Sequence, residues 1–331
     1  MQSTRLGALK LLAALTTVLG AEQAHAFCRE VNASPPVAYD PADAGCFGAS
    51  TGLPTLFWRN QCVSFSLQQG ASKWVTLNDA TNVATQAFAT WTTAPCPGGG
   101  SPSITPSLFP AVQCDSVPSQ AHNNPIIFRD DAWPYGDSAN AIGFTTLTVD
   151  LDNGEILGAA IEINSANFHI VASGPVPQGG YDLASILTHE AGHFLGLAHS
   201  GDSSAIMYAY YKAGSVTLTP DDIAGICTIY DPSGSRTTIS GPVSATTCNS
   251  QPIYGFLQQC GSLDSGALNS VASGPAASPA DGGANPCTTD SSSCAVGLRG
   301  GSSPGAAAWA LGLVGAGAML RRRQRRRGEP R

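Results

Sequence analysis

Val63, Phe65 and Leu67 alternate with serines, the period of a strand with one face buried. From Asp79 to Trp91 the period changes, and Val83, Ala87, Phe88 and Trp91 fall on one face of a helix. Ile126 to Phe128 is a short apolar strand. Two further strands, Thr145 to Asp150 and Glu155 to Ile163, flank Asn153-Gly154, a pair suited to a two-residue hairpin turn. A second helix is predicted from about Asp182 to Leu195. A third begins at Thr219-Pro220-Asp221-Asp222, where Thr219 caps, Pro220 suits the first turn and Asp222 completes a capping box. Strands and helices are mixed, and no internal repeat is visible.

The pattern fades after Asp231. Between Pro232 and Pro304, 47 of 73 residues are Gly, Ser, Ala, Pro or Thr, a composition too small and polar to build a core, so 232–304 reads as a stalk. The compact domain is expected at 54–231, preceded by a disulfide-tied lead-in at 27–53. At the N-terminus, Arg5 and Lys10 precede the apolar run Leu11 to Gly20, and Ala24-His25-Ala26 has the small-x-small form of a cleavage site. Residues 1–26 therefore read as a signal peptide. The run is about ten residues, too short for a helix that needs about 20 to cross a bilayer. Phe27 stands between the cut and Cys28, which argues against a lipoprotein.

At the other end, Ala306 to Leu320 is a short Ala/Gly-rich apolar run followed by six arginines between positions 321 and 327. Cys294, a Gly/Ser spacer, a marginal span and an arginine cluster together resemble the C-terminal sorting signals of exported myxobacterial proteins. That resemblance implies a short membrane-contacting segment at 305–331, its arginines on the cytoplasmic side and its residues 305–320 in the membrane at least transiently. An ordinary single-span anchor is the other reading. Between Ala26 and Leu320 there are 7 basic residues against 21 acidic ones, a poor surface for nucleic acid. All ten cysteines lie beyond the expected cut, as in an exported protein stapled by disulfides, and none forms a C-x-x-C knuckle. Cys96 with Cys114 is one local pairing among many that spacing permits.

The chemistry is concentrated in His189-Glu190-Ala191-Gly192-His193-Phe194-Leu195-Gly196-Leu197-Ala198-His199-Ser200. One helical turn separates His189 from His193, so both imidazoles face one point. Gly196 can take the positive φ that ends a helix, letting the chain reverse and deliver His199 as a third nitrogen. Three neutral imidazoles suit Zn2+ and leave a position for water. Glu190 reaches that water without ligating and is the candidate general base. His122 and His169 are isolated histidines with structural or solvated roles.

At these residues the chain resembles the metzincin metallopeptidases, and more narrowly their matrixin-like branch. Ser200 follows the third histidine, Ala205-Ile206-Met207-Tyr208 matches the Met-turn, and Ala87-Phe88-x-x-Trp91 and Asp221 to Ile226 match the first and last helices. The resemblance covers roughly 54–231. It implies an α+β metzincin-like zincin fold: a twisted mixed sheet with an antiparallel edge strand, two long helices and a C-terminal helix. It also implies that His189, His193 and His199 hold zinc, Glu190 is the base, Met207 forms the hydrophobic floor and Tyr211 walls a primed-side substrate pocket. Three departures stand out: Ala209 replaces a usual proline, a structural-zinc set is not recognisable, and no cysteine-switch sequence precedes the domain.

Asp150, Asp152, Asn153 and Glu155 offer hard oxygens for a calcium ion, Ca2+, although the spacing is not an EF-hand loop and a hairpin turn with solvated carboxylates is the preferred reading. The expected molecule is an exported, monomeric zinc endopeptidase acting on proteins or peptides at the cell surface or outside it. A catalytically idle metzincin-like binding module is the rival reading, and an intact Glu190 argues against it.

Overall fold

The computed structural model describes residues 26–33, 44–113, 123–135, 140–259 and the backbone of 293–294. The expected signal peptide before Ala26, His122, Cys114 and the segment 305–331 lie outside the described residues. The elements are β1 (Cys28–Arg29), α1 (Phe47–Thr51), β2 (Cys62–Leu67), α2 (Leu77–Thr92), β3 (Thr105–Leu108), β4 (Pro125–Phe128), β5 (Gly143–Val149) and β6 (Ile156–Ile163), followed by β7 (His169–Val171), β8 (Gly180–Asp182), α3 (Leu183–Phe194), β9 (Leu197–Ala198), α4 (Pro220–Ile229), β10 (Ser235–Thr238), β11 (Gly241–Ser244) and β12 (Ser293–Cys294).

The main sheet runs β12-β5-β6-β4-β2-β3. Strands β3, β2, β4 and β6 are mutually parallel, while β5 runs antiparallel to β6, with Gly143 opposite Ile163 and Leu147 opposite Ala159. This is the twisted mixed sheet with an antiparallel edge that the resemblance implies. Helices α2 and α3 pack on one face, where Phe88 meets Phe65 (ring centroids 4.5 Å) and Phe194 (4.9 Å). Trp91, fully buried, donates from Nε1 to the Thr188 carbonyl at 2.7 Å and ties α2 to α3. Each long helix starts on a capped turn: Thr76 accepts from the Asp79 amide and Asp182 from the Ser185 amide. The box expected at Thr219 and Asp222 is formed at the start of α4.

Three details differ from expectation. The Asn153-Gly154 turn is longer than two residues: Asp150 and Glu155 close the loop, and only Gly154 has positive φ (+80°), whereas the two-residue type I′ turn needs it at both central positions. A Cβ on Gly154 would lie 2.5 Å from the Thr55 carbonyl, so the segment before β2 sets the loop. Strand β2 is buried on both faces, because Val112, Ile127 and Phe256 form a small second cluster on the side away from the helices. Cys96 pairs with Cys227, not with a local partner; the other disulfides among the described residues are Cys28–Cys46 and Cys62–Cys248.

Phe256 and Cys248 belong to the run whose composition reads as a stalk. Packing does not stop at Asp231: β10 and β11 form a hairpin, and the chain stays on the domain as far as Gln259, which bridges to Gln113. Arg236 is fully buried, donating from Nε to the Trp58 carbonyl (2.8 Å) and from its terminal nitrogens to Ser103, with its guanidinium 4.8 Å from the Tyr230 ring. A low-complexity composition hid one arginine and one cysteine that carry the attachment.

Candidate metal centre

Helix α3 presents His189, Glu190 and His193 on two successive turns, all buried. It ends where Gly196 adopts φ +92°, a conformation that also brings the backbone so near Leu56 that a Cβ would sit 2.7 Å from its carbonyl oxygen. The last carbonyls of the helix are satisfied by aromatic donors: Trp58 Nε1 to Phe194 O at 2.7 Å and Tyr230 Oη to Leu195 O at 2.8 Å. The reversed chain then pairs as β9 with β1 and delivers His199.

One donor nitrogen from each of His189, His193 and His199 lies within 4.8 Å of the others. Nδ1 of His189 is 2.7 Å from the Ile206 carbonyl and Nδ1 of His193 is 2.7 Å from the Leu197 carbonyl. A carbonyl only accepts, so both Nδ1 atoms carry the proton, and in the neutral rings that bind a metal both Nε2 atoms present lone pairs. Those two Nε2 atoms stand 3.0 Å apart. Two facing lone pairs at that distance, with a third imidazole beside them, fit a cation between them, and the all-nitrogen donor set fits zinc. Burial, then the neighbouring His193, hold the His189 pKa down at about 3, so this ring stays neutral. Burial also disfavours charge on His193, but its hydrogen bond to Glu30, the charges of Glu190 and Glu30 and the Leu197 carbonyl outweigh it and raise its pKa.

Glu190 is wholly buried beneath the edge strand. Thr145 donates from its hydroxyl to Glu190 Oε2 at 2.6 Å, and a Cβ on Gly143 would lie 2.5 Å from Glu190 Oε1. Two positions apart on β5, Gly143 and Thr145 face the same side, one leaving room for the carboxylate and the other orienting it. Sequence reading missed both, because they lie more than forty residues from Glu190 with no local signature.

Met207 is buried under α3, its sulfur filling the space that a side chain on Gly192 would need. Its turn is anchored by Asp222, which accepts from the Ile206 and Met207 amides (2.9 and 3.2 Å) while completing the α4 capping box. Asp221 accepts from the Ser200 hydroxyl at 2.7 Å and, on its other oxygen, from the Phe27 amide at 2.9 Å. Tyr211 lines a shallow cleft with His189, Ile206, Tyr210 and Ser215. Its hydroxyl donates to Asp182 Oδ2 at 2.7 Å; burial, and then that carboxylate, push the phenol's pKa up, so it remains a donor.

The remaining candidates do not join this centre. Asp150 accepts from the Asp152 amide (2.9 Å) and the Asn153 side chain (2.8 Å), and Asn153 accepts from the Glu155 amide (2.7 Å), so these oxygens hold the loop, as in the hairpin-turn reading. His169 is exposed and packs on Trp74, ring centroids 4.4 Å apart.

Helix, reversed turn, third histidine and methionine floor together are the features that the resemblance names. Residues 115–231 match the matrixin family model. Known proteins with stretches similar to this chain include interstitial collagenase of Bos taurus, 47% identical over 72 residues, which is 22% of this chain and 15% of the collagenase. Metalloendoproteinase 1-MMP of Arabidopsis thaliana is 49% identical over 53 residues, 15% of each chain. Metalloendoproteinase 1 of Glycine max is 40% identical over 89 residues, 23% of this chain and 29% of the relative. The matched stretches span 15–23% of this chain and 15–29% of those proteins' length. They support a matrixin-like metallopeptidase domain, and the three disulfides fit a protein of an oxidising compartment.

Proposed function

We propose that the chain is an exported zinc endopeptidase that hydrolyses peptide bonds in proteins or peptides. The observation that carries this reading is the buried Glu190 carboxylate, oriented by Thr145 beside three converging imidazoles. His189, His193 and His199 would hold the zinc ion. The chemistry such an ion supplies is Lewis acidity, which acidifies a water molecule and polarises a carbonyl. Glu190 takes the proton from the attacking water and passes it to the departing amine. The Thr145 hydroxyl and the space above Gly143 hold the carboxylate for both transfers, and Met207 keeps α3 in place from below.

A peptide substrate is favoured by the position of β5. This strand is the sheet edge over Glu190, and the backbone of Ser293–Cys294 already pairs antiparallel with Thr145–Thr146 there, as an extended substrate would. Tyr211 and Ser215 border the adjoining cleft, which we assign to the side chain after the cut bond, medium or large and apolar. Export rests on the N-terminal pattern before Phe27, and a place at the cell surface, whether the chain is held there or released, on the arginine-rich tail.

The decisive experiment is Glu190→Ala. Zinc should remain stoichiometric, since the base is not a ligand, while hydrolysis of a peptide library falls by about 10²–10⁴-fold. Full activity in a zinc-loaded variant would refute the mechanism. His193→Ala should lose both metal and activity.

A further inference from the structure

We infer that Glu30, in the N-terminal lead-in, is a positioning residue of the metal centre, acting through His193. This rests on the zinc reading of the three histidines. Glu30 Oε1 lies 3.3 Å from His193 Nδ1, and both groups are buried, Glu30 at 6% exposure. The same Nδ1–H points to the Leu197 carbonyl at 2.7 Å. The two acceptors do different work: the carbonyl selects the tautomer with a dipole, whereas the carboxylate places a full negative charge behind the ring. That charge strengthens electron donation by the opposite nitrogen, Nε2, which faces His189 and the metal position.

The placement of Glu30 is built into the backbone. Its amide donates to the Gly196 carbonyl at 3.0 Å, at the turn that delivers His199, and its carbonyl accepts from the Leu56 amide at 2.9 Å. On one side, Cys28 and Arg29 pair with Ala198 and Leu197, and Cys28 is covalently tied to Cys46. On the other, Val31 bridges to Thr55. The segment thus threads between the ligand-bearing turn and the strand region below it, with Glu30 at the crossing. Burying a carboxylate is costly unless a positive group compensates it, and an imidazole that donates to a dication provides that group. The lead-in is therefore part of the centre rather than a tether before it.

The test compares the full chain with Glu30→Gln and Glu30→Ala, reading zinc affinity by competition with a chromogenic chelator. The parent should bind one zinc. Glu30→Ala should bind about 10–100-fold more weakly, and Glu30→Gln, which keeps the shape and an acceptor but loses the charge, should fall between. A role limited to packing would lower the melting temperature of the zinc-free protein and leave the affinity of the folded protein unchanged. Affinities within twofold of the parent in Glu30→Gln and in any folded Glu30→Ala would overturn the inference. Should Glu30→Ala not fold, the Gln variant decides alone. A parent that binds no zinc would overturn the metal-centre reading itself, so the two failures are distinguishable.

Discussion

Gly143 has no side chain, and Glu190 occupies the space that one would take. Gly143→Ala should therefore displace the carboxylate while leaving the three imidazoles untouched, because they approach from α3 and the turn beyond it. A misplacement of about 1 Å at a reacting group costs on the order of 10²-fold. The expected outcome is a fall of that size in kcat with zinc content unchanged, measured by peptide hydrolysis and metal analysis on the same sample; an unaffected kcat would show that the carboxylate has room to spare. The convergence of His189, His193 and His199 is legible in the sequence because one helical turn and one glycine-ended reversal determine it. Gly143, Thr145 and Glu30 are not legible. Each reaches the centre from a distant segment through sheet pairing, and none carries a local pattern that separates it from an ordinary glycine, threonine or glutamate.

Among the elements, α2, α3 and α4 follow their apolar periods and caps closely, since helix signals are local: Leu77–Thr92, Leu183–Phe194 and the capped start at Thr219 fall within a few residues of expectation. Strand pairing is less visible. The burial of both faces of β2 depends on Val112 and Phe256, and the length of the 150–155 loop depends on a carbonyl at Thr55. The Cys96–Cys227 disulfide shows the same limit, joining the turn after α2 to α4 across a separation of 131 residues. Cross-linking so long a loop constrains the unfolded chain strongly. Replacing both cysteines by alanine should lower the unfolding free energy by about 2–4 kcal/mol, and Thr219→Ala by about 1 kcal/mol. Denaturant midpoints on the same protein would check both, and equal effects of the two changes would contradict the ranking.

For the whole molecule, the question is where the folded unit ends and what its tail does. Composition marks a boundary at Asp231, but Arg236 is sealed against Trp58, Ser103 and Tyr230, and Cys248 is bonded to Cys62 at the start of β2. A chain ending at Asp231 would lose that disulfide and leave the Trp58 and Ser103 carbonyls without their buried donor, a penalty of about 1–3 kcal/mol for each unsatisfied group. A chain ending at Gln259 keeps both. It also lacks Ser293–Cys294, whose backbone lies along β5 opposite Thr145 and Thr146, at the edge proposed to receive substrate. Ladder hydrogen bonds contribute about 0.5–1.5 kcal/mol each, so a tail paired over these two residues would reduce the open fraction on the order of tenfold. The chain ending at Gln259 should therefore melt close to the full chain and hydrolyse peptides about tenfold faster in kcat/KM, while the chain ending at Asp231 melts well below both. Equal kcat/KM for the full chain and the chain ending at Gln259 would show that the tail does not compete for the edge, and equal melting of all three would place the end of the folded unit at Asp231 after all.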